Sequence, residues 1–241
     1  MCTLTYLLTD NGYELFFNRD EQRSRLPAIP PRFNKAKSAI YPVDPQGEGT
    51  WLAVNQQGLT LALLNYYQAP FNNHSHIVSR GQLILSLLQI EGDLIEQLKI
   101  MDLHIYQPFQ LCVFPDDLSL NNNNVRCFNW TGNELLSTDI GLPTTSSSID
   151  LDEVYKKRKN RFNRIVDAHS PSSNQLKKFH FSTEIIGKHS VNMQRSDAQT
   201  VSISHIVVEH DISFNYFDNI LKKEHSMTSK RINKAAWHHD D

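Results

Sequence analysis

Cys2 carries the most chemistry of any residue in this sequence. It follows the initiator methionine and is small, so removal of Met1 is expected. Removal would leave a thiol and a free α-amine on one residue. An α-amine has a pKa of about 8 and can act as general base for the thiol beside it. Other nucleophiles borrow that base from elsewhere in the fold.

The first hairpin decides what faces Cys2. Thr3 to Thr9 and Tyr13 to Asn18 are β-branched and apolar runs, separated by Asp10-Asn11-Gly12. Asn-Gly tolerates positive φ and is a strong hairpin signal. With Asn11-Gly12 as the loop, Asp10 pairs with Tyr13, Leu4 opposes Arg19, and Cys2 opposes Glu21. A loop one residue longer still places Cys2 beside Asp20 to Gln22. Arg19 then lies diagonal to Cys2 on the same face. A guanidinium near sulfur lowers the thiol pKa and holds the thiolate. A carboxylate from Asp20 or Glu21 would orient the amine. The competing reading is a small apolar cysteine at a strand start, followed by a solvated Arg-Asp-Glu run.

The remaining elements must position these residues. Residues 22–49 hold Pro27, Pro30, Pro31, Pro42 and Pro45 and read as an irregular excursion. A second hairpin, Thr50–Asn55 and Leu59–Tyr66, flanks Gln56-Gln57-Gly58. Apolar stripes at Leu83, Ile84, Leu87, Leu88 and at Leu94, Ile95, Leu98, Met101 predict two short helices, the second capped by Asp93. Strands follow at Phe109–Phe114 and Val125–Trp130. After the polar segment Thr144–Ser148, a helix carries Leu151, Val154, Tyr155, Phe162, Ile165 and Val166 on one face. Its Lys156, Lys157, Lys159, Arg161 and Arg164 read as a solvated face. Strands Thr200–Glu209 and Ile212–Phe217 close a single domain over 1–220, and 221–241 reads as a loosely attached polar tail. Strand hairpins with helices collected between them indicate α+β.

Composition removes several function classes. The 241 residues carry 24 basic and 26 acidic side chains, a net charge of −2. There is no basic excess for binding nucleic acid. No run of about 18 apolar residues suggests a membrane span. The N-terminus lacks the basic-then-apolar order of a signal peptide, so the expectation is a cytoplasmic protein with its three cysteines reduced. Cys112 and Cys127 lie in apolar strands and read as inert core thiols. There is no Cys-x-x-Cys pair. His74, His76, His205, His210, His238 and His239 lack the apolar surroundings of a haem ligand. No cofactor or metal is expected.

Several motifs together resemble one family. They are Met1-Cys2-Thr3, Phe17-Asn18-Arg19-Asp20-Glu21, Gly49-Thr50-Trp51-Leu52-Ala53, Leu64-Asn65-Tyr66 and Ser79-Arg80-Gly81. Ser147–Asp150 and Met193–Ala198 continue the match downstream. In this order they resemble the NRDE family, also called the transport and Golgi organisation 2 family, over nearly the whole chain. The resemblance implies a four-layer αββα sandwich like that of the N-terminal nucleophile hydrolases. It also implies distant similarity to the choloylglycine hydrolase and penicillin V acylase group. In that group the N-terminal Cys attacks a carboxamide, an Arg steadies the sulfur and an Asp orients the amine. Cys2 and Arg19 match two of these roles, and Asn65 would supply an oxyanion donor.

In that group Arg and Asp are separated by two residues, whereas Arg19 and Asp20 are adjacent. Either a bulge re-aims one of them, or Glu21 takes the acid's place. The stretch Gly141–Ser146 lacks the second oxyanion Asn that the group carries. Trp51 would line a pocket for a flat or acyl ligand, or sit in the core. Arg80, at a helix start, would bind a ligand carboxylate or phosphate, or bridge to Asp20 or Glu21. Two functions are therefore expected in competition. One is a cysteine amidohydrolase or acyltransferase for a small amide or acyl substrate. The other is a non-enzymatic carrier or chaperone for a hydrophobic metabolite such as haem or an acyl-CoA, the family being linked to haem movement.

Overall fold

The computed structural model describes residues 1–71, 76–90, 92–184 and 186–232. His74, His238 and His239 lie outside the described residues. The strands of the first half are β1 (Cys2–Thr9), β2 (Gly12–Gln22), β3 (Ile29–Asn34), β4 (Ala39–Val43), β5 (Leu52–Asn55) and β6 (Thr60–Asn65). Those of the second half are β7 (Phe109–Phe114), β8 (Arg126–Trp130), β9 (Leu135–Thr138), β10 (Thr144–Ser146), β11 (Ala198–Val208), β12 (Asp211–Asp218) and β13 (Lys223–Lys230). The helices are α1 (Arg80–Leu87), α2 (Leu94–Ile100), α3 (Leu151–Ile165) and α4 (Ser173–His180).

The strands form two antiparallel sheets, β10-β1-β2-β11-β12-β13 and β3-β4-β5-β6-β7-β8-β9. Strand alternation sends Leu4, Leu15, Phe17 and Ile206 of the first sheet against Leu52, Val54, Leu64 and Phe114 of the second. The odd positions of the second sheet, Ala53, Leu61, Leu63 and Leu111, meet Leu83, Ile84, Leu87 and Leu98 of α1 and α2. The reverse face of the first sheet buries Phe16 against Leu176 and Phe179 of α4. The result is the four-layer αββα, α+β architecture that the resemblance implied. β6 is apolar throughout its interior because both of its faces are covered.

Four local expectations are corrected. In the first hairpin the loop is Asp10-Asn11, and Gly12 pairs with Thr9 as the first residue of β2. Gly12 is required by proximity: a Cβ there would lie 1.8 Å from the Val208 carbonyl oxygen. The register therefore moves by two, and Cys2 opposes Arg19 rather than Glu21. The proline-rich segment is not irregular, since it holds β3 and β4. Pro30 and Pro31 sit in an edge strand, and Pro42 lies past the last residue of β4 that pairs with β5. Residues 223–230 form the edge strand β13, whose backbone pairs with β12, although polar side chains gave no apolar signal for it. Finally, α4 follows α3 where the sequence reading places no element; a Ser172–Gln175 capping box starts it. No helix among the described residues is long and apolar enough to cross a membrane.

Candidate active site

The tetrapeptide Asn18-Arg19-Asp20-Glu21 lies on β2, where successive side chains alternate between faces. Asn18 and Asp20 face the α3–α4 layer; Arg19 and Glu21 face the space between the sheets. Asn18 is fully buried and donates to the carbonyls of His180 and Val191, both at 2.9 Å. Asp20 accepts from the Thr200 hydroxyl at 2.5 Å and pairs with Arg158 at 3.3 Å. Arg158, on α3, is fully buried and also donates to Thr3 and to the Ser190 carbonyl. This one arginine of the basic helix points inward, held by a buried carboxylate.

On the other face, Cys2 and Arg19 are direct cross-strand partners. The flanking pair Met1 and Asp20 exchanges the backbone hydrogen bonds, at 2.9 and 3.4 Å. Cys2 and Arg19 therefore form a non-hydrogen-bonded pair, the closer of the two kinds. The Arg19 guanidinium is 3.1 Å from Glu21, 3.2 Å from Asp44 and stacks 4.1 Å over the Trp51 ring. Arg25 completes the network, 2.6 Å from Asp44 and 3.6 Å from Glu21. The bulge in this region lies on β11, between Thr200 and Ser202, and does not bring Asp20 onto the Cys2 face. Of the two acids, Glu21 is the one beside Arg19.

A cleft of about 270 Å³ opens at this end of the sandwich. Cys2, Arg19, Asp20, Glu21, Trp51, Asn65 and Arg80 all line it, although the Asp20 carboxylate is turned to Arg158 on the other face of β2. Trp51 belongs to the inter-sheet core and also lines the cleft, where the Arg19 guanidinium covers one face of its ring. The Asn65 carboxamide donates to the Tyr67 hydroxyl at 2.7 Å. Arg80 reaches the cleft because two backbones touch: a Cβ on Gly49 would lie 2.3 Å from the Gly81 carbonyl carbon. Its guanidinium donates to the Pro108 carbonyl at 2.9 Å. The expected bridge to Asp20 or Glu21 is not made, as Glu21 is taken by Arg19 and Arg25 and Asp20 by Arg158. Burial lowers the pKa of Arg80. Sequence reasoning missed Arg25, Asp44 and Tyr67. The first two belong to the proline-rich stretch, where no periodic signal marks them; Tyr67 had a signal, two residues from Asn65.

The Cys2 thiol departs from expectation. With Met1 in place, burial pushes its pKa up, and the nearby N-terminal ammonium and the Arg19 guanidinium offset this only in part. Arg19 is itself paired with two carboxylates, Glu21 and Asp44.

The model of the Transport and Golgi organisation 2 family matches residues 1–226. The chain belongs to this family. Among its relatives are the Transport and Golgi organization protein 2 homologs of Bos taurus, 31% identical over 129 residues, and of Homo sapiens, 30% identical over 128. Each match covers 50% of this chain and 45% of the relative, so the chain spans about half the length of the curated relatives it matches. The fold of this family member is shared with solved N-terminal nucleophile hydrolases. A mutant conjugated bile acid hydrolase from Clostridium perfringens superposes with TM-score 0.55 at 13% identity, covering 94% of this chain and 92% of that one. The Caenorhabditis elegans ortholog of N-acylethanolamine-hydrolyzing acid amidase gives TM-score 0.55 at 8% identity, with 86% and 92% covered.

Proposed function

We propose that this protein is an N-terminal-cysteine hydrolase or acyltransferase acting on a small amide or thioester that carries an anionic group. The observation that supports this most is the direct opposition of Cys2 and Arg19 in a cleft that also holds Asn65 and Arg80. Removal of Met1 frees the Cys2 amine. Met1 lies opposite Asp20, so its loss opens space beside the Asp20 carboxylate for that amine, while Glu21 stays with Arg19. The amine takes the thiol proton, and sulfur attacks the substrate carbonyl. Asn65 donates to the resulting oxyanion, a contact whose loss typically costs about 10²–10³ in rate. The ammonium then returns the proton to the leaving amine or thiol, and water or an acceptor releases the acyl group from Cys2. Arg80, half-buried in the same cleft and with no carboxylate partner among the described residues, would bind the substrate's anionic end.

The carrier reading uses the same cleft without the sulfur, and Arg80 would then hold the anionic groups of haem or an acyl-CoA. Cys2→Ser separates the two. In protein with Met1 removed, Cys2→Ser should abolish turnover of N-acyl amino acids and acyl thioesters and leave their affinity nearly unchanged. Retention of Met1 on the purified protein, or wild-type turnover by Cys2→Ser, would overturn the hydrolase reading. Loss of function through Arg80→Ala with a silent Cys2→Ser would establish the carrier.

A further inference from the structure

A second groove, of about 350 Å³, adjoins the Cys2 cleft, and Asn65 lines both. Its walls come from the ends of β6, β7 and β8, the edge strand β10 and the first turn of α3. Ser146 lines it and is the direct cross-strand partner of Cys2 on β10, so the groove begins beside the residue that bears the thiol.

The polar atoms of this groove are unusual. Asn129 Oδ1, Thr145 Oγ1 and Ser146 Oγ are buried, and none of them has a hydrogen-bond partner among the described residues. Buried side-chain polar atoms are ordinarily satisfied, so three on one groove need an explanation. Gln68 and Gln110 add two more carboxamides to those of Asn65 and Asn129. A carboxamide presents a donor and an acceptor side by side, which complements an amide group in a ligand. Asp152 is the only charged residue among the described residues that line the groove. The arginine-lined cleft next to it suits an anion, and this groove, without a cation, does not.

We propose that this groove binds an uncharged, amide-bearing chain, the second arm of a substrate whose scissile carbonyl lies at Cys2 and whose anionic arm lies at Arg80. The placement of the arms rests on the hydrolase reading above; the preference of the groove for amides does not. The amide chain would satisfy the oxygens of Asn129 and Ser146 as an aliphatic chain of equal length cannot.

Two measurements on the full chain test this. The first is binding, read from the side-chain amide signals of Asn129 and Gln110 by nuclear magnetic resonance. N-acetyl-Gly-Gly-amide should bind about tenfold more tightly than N-hexylacetamide, and Asn129→Leu or Ser146→Ala should each remove about that factor. These variants lie on different sheets, so a folding failure in one leaves the other. Equal binding of the two chains, or amide binding indifferent to both variants, would overturn the groove assignment. The second is alkylation. Iodoacetyl-Gly-Gly-amide should modify Cys2 about tenfold faster than iodoacetamide, an advantage lost in the same variants. Amide-selective binding without that advantage would refute the placement beside Cys2 and keep the groove. An unreactive Cys2 with intact selective binding would instead count against the hydrolase reading alone.

Discussion

With Met1 present, Cys2 is half-buried and its thiol pKa is raised above the ordinary 9.0, chiefly by desolvation. Its thiolate fraction at neutral pH is therefore small. Once Met1 is removed, the ammonium closest to sulfur belongs to Cys2 itself, which favours the thiolate. Mass-mapped iodoacetamide labelling across pH should thus place the Cys2 midpoint above the usual thiol range in protein that retains Met1, and lower in processed protein. Identical profiles in the two forms would contradict this electrostatic account. Cys112 and Cys127, buried with their sulfurs 3.5 Å apart, should label only on unfolding. Arg158 offers a second test at the same scale. Its guanidinium is fully buried and pairs with Asp20, so Arg158→Met should cost about 3–5 kcal/mol by leaving that carboxylate unpaired. Lys157→Met, at an exposed position one residue away, should stay within about 0.5 kcal/mol in the same denaturant titration.

At the scale of elements, β2 serves two layers at once. Its even residues Asn18 and Asp20 tie the sheet to α3 and α4, and its odd residues Arg19 and Glu21 furnish the cleft. A one-residue slip would exchange these roles, so register matters more here than in a strand with one polar face. Gly12 guards that register. Gly12→Ala would push a methyl group into the Val208 carbonyl and should destabilise the fold by about 1–3 kcal/mol, read as a lowered denaturation midpoint. Asn11→Ala, in the exposed loop, should be nearly neutral, because no positive φ is required of Asn11. Equal effects at the two positions would show that turn conformation, not close approach, governs the hairpin.

Across the whole molecule, the helix layer is bound to the first sheet partly through one neutral histidine. Asn18 directs its amide nitrogen to two carbonyls, so its oxygen, 2.6 Å away, accepts from His180 Nδ1. His180 Nε2 is thereby left to accept from the Thr5 hydroxyl at 2.7 Å. Burial first, then the charges of His205 and Arg158, hold the His180 pKa well below 6.5. The unfolded chain therefore binds a proton here that the folded chain does not. This contribution to stability is complete above the unfolded pKa and declines as pH falls below about 6.5, by up to about 1.4 kcal/mol per pH unit. Chemical denaturation between pH 7.5 and about 5 should show the decline, and His180→Gln should flatten it. An unchanged slope in His180→Gln would assign the effect to other groups.

By itself the sequence determined the α+β class and the strands and helices with strong apolar periodicity, and its motifs, through the family resemblance, marked Cys2, Arg19, Glu21, Trp51, Asn65 and Arg80 of the cleft but not Arg25 or Asp44. Those properties are local: alternation along β2, stripes on α1 and α2, and motifs such as Leu64-Asn65-Tyr66 each sit within a few residues. Tertiary structure alone decided the exact partner of Cys2, because a glycine's proximity to Val208 on a strand nearly two hundred residues away sets the hairpin register. It also decided what holds Arg158, which shares the α3 face of Val154 and Phe162: the buried carboxylate of Asp20 comes from a strand far away in the sequence. The edge strands β3 and β13 were illegible for the same reason: backbone pairing with a neighbour, rather than burial of their own side chains, holds them in place. The thiol's raised pKa belongs to this second class. Charge type and spacing favour a thiolate beside Arg19, whereas desolvation and the sharing of Arg19 between Glu21 and Asp44 depend on how deeply the sheets enclose them.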